Sequence, residues 1–189
     1  MHEPVSAHGA GRDEACALAL AERIIKSLSA RKETIAAAES CTGGLAADSI
    51  VRIPGASVVF WGSFVSYTED AKMKMLGVPP ITLEKYGPVS RETALAMAEG
   101  AIKKSGASWA FSITGFAGPG AGNAGNTADS VKAGTVWIAV AGADKDSADS
   151  SMTEAKMFLF GGSRNEVREK AVIAALEMVL KSILTLEII

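Results

Sequence analysis

Ile35-Ala36-Ala37-Ala38-Glu39-Ser40-Cys41-Thr42-Gly43-Gly44 decides how this chain is read. A short apolar run ends in small and polar residues, and helix-like spacing resumes near Leu45. The pattern predicts a strand over Ile35–Ala38, a sharp turn, and a helix from Gly43 to about Arg52. It places Ser40 at that helix's N-terminus, where amide N–H groups are unpaired and the dipole favours negative charge. A hydroxyl there can act as a nucleophile, with neighbouring amides holding an oxyanion. It can equally serve as a plain helix cap.

Outward from this stretch, helix and strand signals alternate. Leu18, Ala21, Ile24, Ile25 and Leu28 form one stripe of a first helix, Asp13 to Ala30. Cys16 is expected on its buried face. Pro54-Gly55 breaks the second helix, and Val58–Tyr67 reads as a strand. Thr68-Glu69-Asp70 opens a helix carrying Lys72 to Leu76, Ile81–Tyr86 a short one, and Ser90 caps a long one to about Ser105. Trp109–Ile113, Gly134–Ala141 and Met152–Phe160 read as strands, and Arg164 to Leu184 as a terminal helix. Its expected buried face holds Val167, Ala171, Ala174, Ala175, Met178 and Leu186. The alternation predicts a single three-layer α/β/α domain over residues 13–189, with a mixed, mostly parallel sheet, preceded by a disordered tail, 1–12. Trp61, Trp109 and Trp137 all fall in strands and are expected to pack in the core.

Composition narrows the function. The chain has 189 residues, 48% of them apolar and 21% charged, with a net charge of −2. That fits one soluble domain without the basic footprint of a nucleic-acid binder. No apolar run reaches membrane-span length and no signal peptide opens the chain, so a cytoplasmic protein without a membrane partner is expected. Cys16 and Cys41 form neither a disulfide framework nor a zinc pattern, and Cys41 reads better as a small buried hydrophobe than as a thiol nucleophile. The only histidines, His2 and His8, lie in the tail. This excludes a Ser-His-Asp mechanism or a histidine-rich metal site, and no metal or cofactor is expected. Base chemistry falls to Lys, Tyr, Asp or Glu.

Two small-residue loops follow strands, Ser40–Gly44 and Thr114–Gly120, and their amides suit phosphate or carboxylate. Tight packing at turns would demand the same glycines. Tyr67 closes a strand and Lys72 sits in the first turns of the next helix. The dipole there disfavours a cation and pushes a lysine toward its neutral amine. Such an amine could take the Ser40 proton directly or through Tyr67. Lys74, two residues on, competes for the role, and a solvated lysine on a helix flank is the ordinary alternative.

Five ordered motifs carry a resemblance. Ala38–Gly44, Gly62–Lys72, Gly87-Pro88-Val89-Ser90, Thr114-Gly115-Phe116-Ala117-Gly118-Pro119 and Gly134-Thr135-Val136-Trp137 together resemble the CinA C-terminal domain family. Its stand-alone members are the PncC nicotinamide mononucleotide deamidases. The resemblance spans roughly Thr34 to Leu184. It implies an amidohydrolase that converts nicotinamide mononucleotide to nicotinate mononucleotide and ammonia. It assigns catalysis to Ser40, Tyr67 and Lys72, and it implies a homodimer. Substrate and oxyanion contacts are expected from Cys41, Thr42, Gly43, Gly44, Thr114, Gly115, Ala117 and Gly118. Arg52, Arg91 and Arg164 are candidates for the substrate phosphate. Longer relatives carry a nucleotide-processing domain ahead of this one, and with only a short tail here that second activity is expected to be missing. Pro88, Phe116, the 121–132 segment and Ala133 depart from the family pattern and bear on substrate preference. A reading from another class is a non-catalytic pyridine-nucleotide-binding or competence-associated interaction module, which intact Ser40, Tyr67 and Lys72 disfavour.

Overall fold

The computed structural model describes residues 10–119, 131–143 and 150–185. Helix α1 (Ala10–Arg31) leads into β1 (Ile35–Glu39), α2 (Leu45–Val51), a single 3-10 turn (Ala56–Val58) and β2 (Phe60–Val65). Helices α3 (Glu69–Leu76), α4 (Pro80–Tyr86) and α5 (Arg91–Ser105) follow, then β3 (Trp109–Gly115), β4 (Thr135–Ala143), β5 (Ser150–Leu159) and α6 (Arg164–Thr185). The sheet order is β2-β1-β3-β4-β5. β1 pairs in parallel with both β2 and β3, while β4 opposes β3 and β5. Four strands therefore point one way, and the expected mixed, mostly parallel sheet is present.

The two faces of the sheet bury different side chains. Ile35, Ala37, Phe111, Ile113 and Ile138 face α1, α2 and α6. Ala36, Ala38, Ala110, Ala139 and Ala141 face α3, α4 and α5. Alanine on that second face lets α5 lie close. α5 also packs tightly against α3: a Cβ at Gly100 would fall 2.1 Å from the Leu76 carbonyl oxygen. The chain leaves β1 for β2 across one face and returns to β3, on the other side of β1, across the opposite face. The crevice at the carboxyl ends of β1 and β3 is thus a topological switch point, where open α/β sheets bind ligands.

Local signals explain most boundaries. Thr68 and Ser90 cap α3 and α5 by accepting from Ala71 N and Thr93 N. Pro80 starts α4, where its missing N–H costs nothing. Three expectations are corrected. α1 begins at Ala10, so only residues 1–9 of the expected tail fall outside it, and those lie outside the described residues. Cys16 is exposed, because the buried stripe runs through Ala17, Ala21, Ile24 and Leu28, one helical step away. Trp61 is 52% exposed and stacks on Phe64, because β2 is an edge strand. Trp109 is buried and donates its indole N–H to Glu33. Trp137 is half-buried against the second core. Most of the 121–132 segment and Leu186 lie outside the described residues. Among the described residues no helix is long and apolar enough to cross a membrane.

Candidate active site

Ser40 follows the last residue of β1, and its N–H still donates to Ile113 of β3. The strand thereby holds it rigidly at the sheet's carboxyl edge. The expected helix start is corrected here. α2 begins at Leu45, with Gly44 as its cap position, and no side-chain oxygen of Ser40 caps it. Gly43 and Gly44 both have left-handed φ, +60° and +97°. They insert a turn between the serine and the helix that β-carbon-bearing residues would resist. The capping alternative for Ser40 is therefore gone, and its hydroxyl is used elsewhere.

It is used by Lys72. Lys72 Nζ lies 2.8 Å from Ser40 Oγ and donates also to the Ser66 carbonyl at 3.1 Å. The side chain is 1% exposed and, among the described residues, faces no carboxylate in an ion pair, whereas Lys74 is solvent-exposed and bound to Asp70. Burial pushes the Lys72 ammonium down from 10.5 to about 8, with opposing pulls from Cys41 and Glu69 only second. A substantial neutral fraction follows near physiological pH. The neutral amine would accept a hydrogen bond from the Ser40 hydroxyl, which is the arrangement of an activated nucleophile.

Glu39 was not singled out by the sequence reading, and it organises the turn. It is fully buried and points to the face opposite Ser40. Its carboxylate accepts from Gly44 N, Ala46 N and Ala47 N at 3.0–3.1 Å and from Ser63 Oγ at 3.0 Å. The first amides of α2 are thus spent on an internal anion, which fits the positive end of a helix dipole. Gly43 N is also spent, on the Ser40 carbonyl. Of the amides expected to hold an oxyanion, Gly43 and Gly44 are therefore unavailable. Cys41 N and Thr42 N keep no bond to another residue among the described ones, and both lie directly after the serine. The Thr42 hydroxyl is buried without a hydrogen-bond partner. Cys41 is buried, and desolvation pushes its thiol up to about 11, so it stays protonated.

The second loop contributes less than its sequence suggests. Thr114 and Gly115 are still strand, opposite Trp137 and Val136 of β4. Thr114 Oγ1 donates to the Pro88 carbonyl. A Cβ on Gly115 would meet Thr135 O and Val136 Cγ2 at 2.8 Å, so packing alone explains that glycine. Ala117 is buried in the first core. Gly118 is tied to α6 through its carbonyl, which accepts from Arg164 Nη1 at 3.0 Å.

Tyr67 is 59% exposed, and its Oη accepts from Arg164 Nη2 at 2.9 Å. Lys72 touches Ser40 without it. Arg168, one turn after Arg164 on α6, donates to the Thr42 carbonyl at 2.8 Å and holds the Ser40–Gly44 loop from the opposite side. Arg168 was missed, although two arginines four apart in the first turns of a helix, where the dipole disfavours cations, were a readable signal. Glu39 was readable too, as a lone charge ending an alanine strand. Of the other phosphate candidates, Arg52 pairs with Glu14 between α2 and α1, and Arg91 is exposed at the start of α5. Among the described residues no group of His, Cys, Asp or Glu side chains is placed to hold a metal ion.

Comparison with known proteins shows the family and the fold. The family model of the CinA C-terminal domain matches residues 17–183. The chain is 41% identical over 153 residues, 81% of its length, to a CinA-like protein of Endomicrobium trichonymphae. It is 41% identical over 170 residues to a CinA-like protein of Anaeromyxobacter. It spans only 33% and 38% of those two proteins. The crystal structure of a competence/damage inducible protein from Agrobacterium tumefaciens superimposes with a TM-score of 0.77 at 39% identity, covering 88% of this chain and 94% of that one. A CinA superfamily protein from Klebsiella pneumoniae gives 0.80 at 28% identity, covering 89% and 98%.

Proposed function

The chain belongs to the CinA C-terminal domain family, and on that premise we propose that it is a serine amidohydrolase acting on the carboxamide of nicotinamide mononucleotide. One observation carries the reading: a buried lysine without an acidic partner among the described residues, its Nζ 2.8 Å from a serine hydroxyl at a sheet switch point. A lysine placed there for stability alone would be a costly choice, since burial works against its charge.

Neutral Lys72 takes the Ser40 proton as Oγ attacks the carboxamide carbon. The amides of Cys41 and Thr42 meet the oxygen that gains charge. Lys72 then returns the proton to the departing nitrogen, ammonia leaves, and Ser40 holds the nicotinate acyl group. Water, deprotonated by the same amine, attacks the ester and yields the carboxylate and free Ser40. Tyr67, held by Arg164 at the rim, orients the substrate or relays the proton.

The test is ammonia release from nicotinamide mononucleotide by the purified protein, with nicotinate mononucleotide identified as the product. Turnover that disappears in Ser40→Ala supports the reading. A well-folded wild-type protein that binds the nucleotide and releases no ammonia would point instead to a non-catalytic pyridine-nucleotide module.

A further inference from the structure

The two edges of the sheet are built differently. β5 carries Glu154 and Lys156 along its length, the kind of charge that keeps an edge strand from joining another chain. β2, at the other edge, carries none. From Ile53 to Thr68 the sequence has no Asp, Glu, Lys or Arg. Ten large hydrophobic side chains are exposed among the described residues, and five of them, Val51, Val58, Trp61, Val65 and Tyr67, lie on or beside this run. The exposed apolar surface is therefore concentrated at one edge, and such a patch marks an interaction site.

The backbone displays Trp61 there. β1 and β2 lose register between Ile35 and Ala36, which pair with Phe60 and Gly62 and leave Trp61 opposite no residue of β1. An extra residue of this kind bends its strand and re-aims the side chain. Gly62, at φ +147°, takes up the distortion. The indole then stacks on Phe64, with ring centroids 5.2 Å apart, so it is held in place before anything binds it. Beside it, between the end of α2 and the start of β2, opens a groove of about 470 Å³. Val51, Ile53, Pro54, Ala56 and Phe60 line this groove, Trp61 forms one lip, and no charged side chain takes part among the described residues. One edge thus offers a knob and a hole side by side.

We propose that this edge is a two-fold interface between copies of this chain, with Trp61 of each copy seated in the groove of the other. A two-fold contact sets one surface against itself, so a charge near the axis meets its like. A strip without charge is what such a contact requires, whereas a different protein could match charges with charges of its own. The same rotation fills both grooves at once. A rigid aromatic in a desolvated pocket is the kind of residue that dominates interface energy, and Val58 and Val65 extend the apolar contact around it. Tyr67 closes the uncharged run, so the partner copy comes to stand beside the rim of the candidate active site.

Sedimentation velocity on the full chain over a range of concentrations tests this. Wild type sediments as a dimer that dissociates on dilution. Trp61→Glu weakens the dimer on the order of 30-fold or more, as loss of a hot-spot aromatic does. Trp61→Phe, which still fills part of the groove, weakens it less. Val58→Glu, on the exposed 3-10 turn, weakens it as well, and thermal melts confirm that each variant is folded. Ile81→Glu and Leu159→Glu, exposed apolar positions elsewhere, leave it unchanged. A wild type that stays monomeric overturns the proposal, whether the groove is empty or takes an unrelated partner. A dimer that survives both Trp61→Glu and Val58→Glu overturns it too, as does one that is lost in Leu159→Glu instead.

Discussion

The two small-residue loops at the sheet's carboxyl edge look alike in sequence and are put to different uses. Ser40–Gly44 holds a hydroxyl against a buried amine, and its glycines create the turn that frees that hydroxyl from helix capping. Thr114–Gly118 is half strand, its Gly115 is required by β4, and its Gly118 carbonyl accepts from Arg164. What separates the loops is where their polar groups are already committed. Glu39 takes the amides of Gly44, Ala46 and Ala47, while Cys41 N and Thr42 N keep no bond to another described residue.

The sharpest way to break this comparison is to remove the chemistry from the first loop. Ser40→Ala is expected to lower deamidation by more than ~10³-fold, as loss of a nucleophile does. Because Ser40 caps no helix, melting should shift only slightly. Substantial residual turnover in the folded variant would return the two loops to equal standing. Next in size is Lys72→Arg, which keeps a cation but supplies no neutral amine, and should cost at least ~10²-fold, mainly in kcat. In wild type, kcat should rise with pH through about 8 as the amine deprotonates. Stability carries the same signature. The folded amine titrates near 8 and the unfolded one near 10.5, so the unfolded chain binds more protons between those values. Stability should therefore rise with pH across that window. The rise should be missing from Lys72→Met, as urea titrations at pH 7.5 and 10 would show.

Glu39→Gln probes the same loop from beneath. Each carboxylate oxygen accepts two hydrogen bonds, so either orientation of the amide turns an NH₂ group toward donors. The expected cost is about 1–3 kcal/mol of stability, with kcat lowered as the turn shifts. Gly115→Ala should cost a similar amount through its clash with Thr135 and Val136, yet leave the pH profile of kcat unmoved. Denaturant melts and pH–rate profiles on the two variants would separate a loop that positions chemistry from one that only packs.

How much of this was legible follows from the same contrast. The period-2 and 3.6 patterns and the caps at Thr68 and Ser90 located every strand and helix among the described residues to within a few residues. The sheet order was not readable, because pairing across β1 is decided by long-range packing of Ala36 and Ala38 under α5. Ser40 and Lys72 could be named from their places at element ends. That their side chains meet depends on α3 falling on the Ala36/Ala38 face, which spacing does not report. The burial of Cys16 and Trp61 was misread because an apolar residue type does not tell a core strand from an edge strand, or one helical step from the next.

The smallest expected effect belongs to a side chain beside Ser40. Cys41 follows Ser40 directly, and a thiol there invites assignment as a second or alternative nucleophile. Burial argues otherwise: desolvation holds the thiol at about 11, and it makes up part of the first core. At neutral pH the reactive thiolate is scarce and shielded. What the loop needs at this position is the backbone amide, which any residue other than proline supplies. Cys41→Ala should therefore keep kcat within a few-fold of wild type and lose on the order of 1 kcal/mol of stability from the removed sulfur contacts. Iodoacetamide should leave wild-type activity intact while modifying the exposed Cys16. Rapid inactivation by the reagent, abolished in Cys41→Ala but not in Cys16→Ala, would show that the thiol opens to solvent and would move part of the chemistry from Ser40 to its neighbour.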